Sequence, residues 1–221
     1  MVLYFRCTNS LCKFGESNYE LQIMLIPEAL LESYGATTEH YKKGDTIFSE
    51  FETPKNYYQI ISGSIKLNHY NEQGKELIFA ILSEGLSVCE MLLFIDHTFP
   101  VNAVVFEDAM VLRLSKEKFI QLLDDHPRVA RDVNNFLAER LYQKYIMLEN
   151  NSSLYANVRI KGVLDYHKSF SPDQTPYSYY TPLTRQQIAA MTGLRVETVI
   201  RNIKTFEKEG ILKIVKGKIY Y

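Results

Sequence analysis

Apolar and polar residues alternate in short segments between Glu39 and Ser115, and turns rich in Gly and Asn separate the segments. A period of two is typical of β-strands, and short strands at this spacing predict a small antiparallel barrel or jelly roll. Ser62-Gly63 is one of the predicted turns between strands. The predicted strands include Thr46–Phe48, Tyr57–Ile61, Ser64–Tyr70, Lys75–Leu82 and a closing strand at Ala109–Leu114.

A different period begins at His126-Pro127, where apolar residues recur at alternating steps of three and four positions. Pro suits the first turn of a helix, so the pattern predicts a long helix that runs to about Asn150. Its apolar seam could be covered by its own barrel or by a second copy, and the heptad-like regularity favours a parallel coiled-coil dimer. The seam consists of Val129, Val133, Phe136, Leu137, Leu141, Tyr145 and Leu148.

Two short helices are predicted near the C-terminal end of the sequence. Thr184 and Gln187 have the spacing of a capping box, and Gly193 permits a tight turn after the first helix. The second helix, about Arg195 to Glu209, has one apolar side that packs inward. Two short strands around Lys216-Gly217 then form a wing. The inward side of the second helix has Val196, Val199, Ile203 and Phe206.

The opposite side of this second helix has Glu197, Arg201, Lys204 and Lys208 in one line. Arg can grip guanine, Glu can accept a hydrogen bond from cytosine and Lys can contact phosphates, so the stripe suits a DNA major groove. The alternative is a solvated helix face with a Glu197–Arg201 pair. Residues 184–221 have eight Lys or Arg against three Glu, a net charge of +5 in a chain whose total is −1. This separation of charge favours binding of double-stranded DNA.

The fold class that these patterns predict is α+β, with an antiparallel β-roll or jelly roll, a long helix and a C-terminal winged helix-turn-helix. The 221 residues are enough for two domains with separate cores. Without a membrane-spanning apolar run or a signal peptide, we expect a cytoplasmic protein with no membrane partner. The predicted domains are an arm at residues 1–16, a β-domain at 17–125, a helix and hinge at 126–152 and the winged domain at 153–221.

This order of elements resembles the CRP/FNR family of bacterial transcription regulators over residues 17–221. Four stretches carry the resemblance: Tyr41–Phe48, Ile61–Leu67, Gly85–Phe94 and Leu183–Lys218. The resemblance implies a homodimer on a palindromic operator, a sensor role for the β-roll and motion at a hinge, Asn150–Ser153. It also implies transcription activation with RNA polymerase as a further partner, and no enzymatic activity.

The resemblance places Glu197 and Arg201 at the base-reading positions, with Val196 and Arg195 making flanking contacts. The run Val-Glu-Thr is similar to the oxygen-responsive branch of the family, which implies half-sites similar to TTGAT. Ile200 replaces the small or polar residue that is usual before the Arg. Phosphate contacts are expected from Thr184, Arg185, Gln186, Lys204 and Lys216.

The sensor region departs from the cyclic-nucleotide signature of the family. Glu90 is retained, but Pro100-Val101 occupies the place of the Arg-Ser pair that holds a cyclic phosphate. A buried phosphate without a cation is strongly unfavourable, so we do not expect cyclic AMP as the ligand. A small organic effector could instead enter an apolar pocket, although the same residues could be plain core. The predicted pocket has Glu90, Leu92, Phe94, Phe99, Val101, Lys144 and Tyr145.

No metal or cofactor is predicted. The three cysteines, Cys7, Cys12 and Cys89, lack the four-cysteine pattern of an iron–sulfur cluster, although a redox role stays open. Haem would need an axial ligand such as His69 or His97, and a lone His in a turn more often faces solvent.

Three alternative functions remain. The dimer could bind DNA without an effector and be controlled by its abundance. The winged helix could serve protein contacts, in which case no salt-dependent DNA affinity is expected. A metal-dependent enzyme on a jelly-roll scaffold would need clustered ligands, whereas His40, His69 and His97 are scattered.

Overall fold

The computed structural model describes residues 26–169, 171 and 173–221, so the predictions for the N-terminal arm, Cys7 and Cys12 lie outside the described residues. The first part of the chain forms α1 (Glu28–Ser33), β1 (Thr37–Tyr41), β2 (Thr46–Phe48), β3 (Asn56–Tyr70), β4 (Glu76–Ser83), a 3₁₀ turn (Glu90–Leu93) and β5 (Asn102–Ser115). The second part forms α2 (Lys116–Asp125), α3 (Pro127–Ser152), α4 (Ala156–Ser169), β6 (Tyr180–Thr181), α5 (Arg185–Thr192), α6 (Val196–Lys208), β7 (Lys213–Val215) and β8 (Lys218–Tyr220).

The N-terminal domain is an antiparallel sheet with the strand order β1-β5-β3-β4, in which β2 also pairs with β5. The prediction of an antiparallel β-domain is therefore confirmed. Alternate side chains of these strands point into one core, which includes Phe48, Ile65, Ala103 and Val111. The rings of Phe48 and Phe99 stack within this core with their centroids 3.6 Å apart.

The predicted turn at Ser62-Gly63 is wrong, because β3 runs without interruption from Asn56 to Tyr70. Its pairing with β5 shifts register on both sides of Ser62, which marks a bulge. Gly63 has φ +83°, and a Cβ added there would lie 2.2 Å from the carbonyl oxygen of Asp108. Gly is thus required for close approach of two strands within the sheet.

A helix that the sequence patterns did not single out, α2, follows β5 directly. The Ser115 hydroxyl caps it by accepting a hydrogen bond from the Lys118 N–H at 3.4 Å. The Phe119 ring stacks on Tyr57 of β3 with centroids 4.4 Å apart. This cluster also contains Leu112 and Val133, so it fixes the start of α3 against the β-domain.

The predicted dimer seam on α3 divides into two parts. Val133 is 1% exposed in the cluster of its own chain, and Val129 and Leu137 pack against the same cluster. Phe136 is partly buried and stacks beside the Arg140 guanidinium at 5.3 Å. Val133 is therefore covered by its own domain and is not available to a second copy. The exposed part has Leu141 at 55%, Tyr145 at 62% and Leu148 at 68%.

The predicted hinge is displaced, because α3 continues through Ser152 and the chain leaves the helical conformation only at Ser153. Gly162 of α4 lies so close to Asn150 that an added Cβ would meet its side chain at 2.6–2.7 Å. Asn150 of α3 is thus packed against α4. The break between α3 and α4 is confined to residues 153–155.

The C-terminal domain packs α4, α5 and α6 against a small sheet with the order β6-β8-β7. Its core includes Leu164, Ile188, Val199 and Phe206. Ile78 of β4 is 2% exposed and belongs to this same core. The β-domain therefore touches the C-terminal domain through an apolar contact, in addition to the covalent link through α3.

Candidate functional site

The start of α5 is fixed by the predicted capping box. The Thr184 hydroxyl accepts a hydrogen bond from the Gln187 N–H at 3.2 Å, and the Gln187 side-chain oxygen accepts one from the Thr184 N–H at 2.7 Å. Gly193 follows the helix with φ +70°, a left-handed conformation that favours Gly. The predicted helix-turn-helix geometry is confirmed.

Helix α6 has one side in the core and one side in solvent. Val199, Ile203 and Phe206 are at most 4% exposed. Burial of this apolar face anchors the helix to α4 and α5 and leaves its other face open. The open face forms a shallow groove lined by Glu197, Ile200, Arg201, Lys204, Thr205 and Lys208.

Both base-reading candidates are exposed on this face. In the described part of the chain, the i,i+4 ion pair on a helix joins Lys161 to Asp165 of α4, and none joins Glu197 to Arg201. Arg195 is also exposed and occupies the N-cap position without a side-chain capping bond. Val196 instead is partly buried and packs against the domain core, so its contact with DNA stays a prediction.

The predicted phosphate contacts lie on α5, α6 and the wing. Thr184, Gln186 and Lys204 are exposed. Arg185 is half-buried, and its guanidinium donates a hydrogen bond to the Gly217 carbonyl oxygen at 2.7 Å. This bond ties the wing turn, which contains Lys216, to the start of α5.

A second candidate site is a cavity of about 430 Å³ between the β-domain and α3. Glu90, Val101 and Lys144 line it as predicted. The placement of the other four predicted residues is wrong: Leu92 and Phe99 are buried in the sheet core, and Phe94 and Tyr145 are 45% and 62% exposed. The cavity is instead completed by Leu67, Phe79, Ala80, Cys89, Met91, Pro100, Leu137, Arg140 and Leu141.

Arg140 is the residue of this cavity that the sequence patterns missed. Its Nη1 donates to the two carboxylate oxygens of Glu90 at 2.9 and 3.1 Å and to the Ser87 carbonyl at 3.1 Å. Glu90 is 1% exposed, so this pair joins α3 to the 3₁₀ turn inside the protein. The sequence feature that could have identified Arg140 as a cavity residue was its position four residues before Lys144, on the same side of the helix.

The cavity does not fit a cyclic phosphate. Arg140 is already paired with Glu90, and the Lys144 ammonium donates to the Phe79 carbonyl at 2.9 Å. Burial and the nearby Arg140 lower the pKa of Lys144 to about 8. Pro100 has no N–H to offer. The remaining lining is largely apolar, which agrees with the sequence-based expectation against cyclic AMP.

Cys89 contacts the same cavity but is not a reactive thiolate. It is 3% exposed and has φ +55°, and burial raises the pKa of its thiol to about 12. A thiol in this environment is protonated at neutral pH and reacts slowly with oxidants. This environment opposes a redox role for Cys89.

Among the described residues, no group of three or more His, Cys, Asp or Glu side chains could hold a metal ion. His69, one of the haem candidates, pairs with Glu50 at 2.8 Å. No helix in residues 26–169 or 173–221 is both long and apolar enough to cross a membrane.

Comparison with known proteins matches both domains. Residues 38–126 match the cyclic nucleotide-binding domain family, and residues 162–220 match the Crp-like helix-turn-helix domain family. The chain is 27% identical to the cyclic AMP receptor protein of Thermus thermophilus over 179 residues, which is 81% of each chain. It is 26% identical to the nitrogen fixation regulation protein FixK of Bradyrhizobium diazoefficiens, over 81% of this chain and 76% of FixK.

Two solved structures share the fold. The c-di-GMP responsive regulator CLP of Xanthomonas campestris aligns with a TM-score of 0.69 and 21% identity, over 87% of this chain and 98% of CLP. A CooA mutant from Carboxydothermus hydrogenoformans aligns with a TM-score of 0.72 and 19% identity, over 93% and 91% of the two chains. With both domains matched in this order, the chain belongs to the CRP/FNR family of transcription regulators, with a helix-turn-helix DNA-binding domain.

Proposed function

We propose that two copies of this chain bind a palindromic operator, with α6 of each copy in the major groove. The observation that carries this proposal is the open face of α6, where Glu197, Arg201 and Lys204 are exposed to solvent on the side opposite a fully buried apolar face. In this arrangement Arg201 reads guanine, Glu197 accepts from cytosine and Lys204 contacts phosphate. Flanking and phosphate contacts come from Arg195, Thr184, Arg185, Gln186 and Lys216.

Dimer formation in this proposal uses the exposed half of α3. Leu141, Tyr145 and Leu148 are large apolar residues on the surface of a single copy, at steps of four and three positions. Covering them with the same helix of a second copy removes their apolar surface from water. A two-fold dimer then presents two copies of α6 to successive major grooves.

The cavity between the β-domain and α3 is the proposed control point. Both the β-domain and α3 line this cavity. An apolar effector that binds there can therefore change the position of α3 relative to the β-domain. Any resulting movement reaches the DNA-binding domain through the break at residues 153–155. RNA polymerase is the further partner of an activator of this kind. The alternative, binding controlled by abundance alone, needs no ligand in the cavity.

The test is fluorescence anisotropy of the purified chain against a labelled palindromic duplex with TTGAT-type half-sites and a scrambled duplex. The expected result is tighter binding to the palindrome, with an affinity that falls steeply as salt rises. If the protein binds both duplexes equally, its preferred operator sequence is selected from a pool of random duplexes. Salt-independent binding, or no selected sequence at all, contradicts the proposal and favours a protein-contact role for the winged domain.

The same assay separates the two modes of control. Tight and selective binding with no ligand added supports control by abundance. Binding that becomes selective only after a small molecule is added supports gating through the cavity. Cyclic AMP serves as the comparison ligand, and we expect it to leave the affinity unchanged because the cavity does not fit its phosphate.

A further inference from the structure

Ile200 stands out on α6 because it is apolar and 41% exposed. Its neighbours Val199 and Ile203 are at most 1% exposed. Ile200 is not among the residues of the described chain that pack into or against the C-terminal core, whereas Val196, one turn earlier, is. Core packing therefore does not account for a large β-branched side chain at this position.

The surroundings of Ile200 are those of the DNA-binding face. It lines the same shallow groove as Glu197, Arg201 and Lys204. It lies three residues after Glu197 and four before Lys204, which makes both of them its neighbours on the helix surface. An apolar side chain is thus presented between Glu197, which is assigned to a base, and Lys204, which is assigned to a phosphate, in the groove that Arg201 also lines.

The major groove offers one apolar group to such a side chain. Among the four bases, only thymine presents a methyl group there, at C5, and apolar side chains recognise it by contact. Isoleucine is well suited, since branching at Cβ restricts it to one main rotamer in a helix and little rotational freedom is lost on binding.

We infer that Ile200 reads the C5-methyl group of a thymine next to the base pairs contacted by Glu197 and Arg201. This inference rests on the proposed function, because it requires α6 to enter the major groove. It makes Ile200 a specificity-determining residue that acts through apolar contact. The recognition face then combines hydrogen-bond readout with methyl readout.

The test replaces thymines with deoxyuridine, which differs only by the missing methyl group. The duplex is the one that wild-type protein selects from a random pool, and each half-site thymine is replaced in turn. Wild-type protein is expected to lose about fourfold in affinity at one position, equivalent to about 0.8 kcal/mol for one buried methyl. Ile200→Ala is expected to lose a similar factor on the thymine duplex and to bind both duplexes equally.

Two further variants keep the result interpretable. Ile200→Val retains β-branched methyl groups and is expected to keep the preference for thymine. Leu77→Ala removes an apolar side chain of similar exposure, 39%, from β4 in the other domain and is expected to change nothing. Circular dichroism of each variant checks that the helices remain folded.

The outcomes separate this inference from the proposed function. Selective binding that tolerates deoxyuridine at every position overturns the role of Ile200 and leaves DNA binding intact. A thymine preference that persists in Ile200→Ala also overturns it. Failure of wild-type protein to select any sequence overturns both proposals together.

Discussion

At the scale of single residues, the proposed DNA contacts depend on charged groups that are exposed on α6. Arg201 is exposed on α6, and its backbone carbonyl accepts a hydrogen bond from the Thr205 hydroxyl at 3.1 Å. Because the residue is exposed, its guanidinium can approach a base from solvent. Contacts to bases and contacts to phosphates then differ in how they respond to salt and to sequence.

Replacing Arg201 is therefore expected to change specificity. Arg201→Ala should weaken binding to the selected operator by about 1–3 kcal/mol and relax the preference at one base pair. Competition binding against single-base operator variants measures both effects. Lys118→Ala, which removes an exposed positive charge from α2, is the matched control and should leave the preference intact. An unaltered base preference in Arg201→Ala would remove Arg201 from the reading residues.

Lys204 is expected to behave differently because phosphates are the same in every sequence. Lys204→Ala should weaken binding to all duplexes by a comparable factor and lower the salt slope of log K by about 0.9. Anisotropy titrations over a range of salt concentrations measure this slope. A loss confined to one operator sequence would instead place Lys204 on a base.

His167 gives a residue-scale prediction about stability. It is 7% exposed on α4, and burial, together with the nearby Lys144, lowers the pKa of its imidazole to about 4. Between pH 6.5 and 4 the unfolded chain binds the proton and the folded chain does not. The contribution of the neutral His167 to the free energy of unfolding is thus fully present above pH 6.5. It decreases as the pH is lowered from 6.5 to 4, by up to about 3 kcal/mol.

Urea unfolding of wild type and His167→Phe at several pH values tests this prediction. The variant should lose less stability than wild type between pH 6.5 and 4, because its side chain has no proton to bind. His40→Phe replaces an exposed His of β1 and should follow the wild-type pH dependence. Parallel curves for wild type and His167→Phe would mean that His167 does not contribute.

At the scale of elements, the junction of α3 and α4 depends on close packing at a glycine. Gly162 is buried against Asn150, where an added methyl would lie under 3 Å from the side chain. Gly within a helix costs about 1 kcal/mol relative to Ala. The gain in helix propensity from Gly162→Ala is therefore opposed by overpacking of about 1–3 kcal/mol.

We expect Gly162→Ala to lower the free energy of unfolding and to separate the two helices. Differential scanning calorimetry measures the loss. The paired variant Gly162→Ala with Asn150→Gly removes all three atoms that the methyl would meet, including the Asn150 Cβ at 2.7 Å, and should recover part of the lost stability. A stabilising effect of Gly162→Ala alone would show that Asn150 moves aside freely, and that this junction is looser than its packing suggests.

At the scale of the whole molecule, the exposed half of α3 is the surface that the proposed dimer would use. Leu141 and Leu148 are 55% and 68% exposed, and a dimer contact would remove their apolar surface from water. The paired variant Leu141→Glu with Leu148→Glu should be monomeric, because a dimer would bury four carboxylates without partners. Light scattering after size exclusion measures the mass. Leu154→Glu is the control, because it changes the same type of residue at a position that lies beyond α3 and is 93% exposed.

Loss of the dimer should also weaken operator binding strongly, since one copy of α6 contacts only one half-site. A single half-site duplex should be bound equally weakly by wild type and by the monomeric variant. Retention of the wild-type mass by the double variant would contradict the proposed seam.

Local patterns were enough to predict much of this protein. Thr184, Gln187 and Gly193 predicted the start and end of α5, because caps and left-handed turns depend on a few consecutive residues. The apolar face of α6 and the antiparallel β-domain followed from periods of 3.6 and two, since burial repeats with the backbone geometry. The charge of the C-terminal segment indicated DNA. Each of these features depends on residues close together in the chain.

Other features depended on how distant segments meet. Arg140 and Glu90 are 50 residues apart, and only the path of α3 past the 3₁₀ turn brings them together. Gly63 was predicted to lie in a turn, but a Gly with a positive φ is equally common at a turn and at a β-bulge. Only the position of β5 beside Gly63 shows that this Gly belongs to a bulge. Leu92 and Phe99 were apolar enough for a pocket, yet they are buried in the core of the β-domain.

The sequence by itself determined the order of the β-domain, the long helix and the winged helix-turn-helix, the family resemblance and the chemical groups on α6, because helix period, capping and charge are local properties. Only the tertiary structure decided which side chains face the cavity, which half of α3 is free for a partner and that Ile200 is exposed beside Arg201. The physical reason is that periodicity assigns a residue to one side of an element, whereas packing against other elements determines what covers that side.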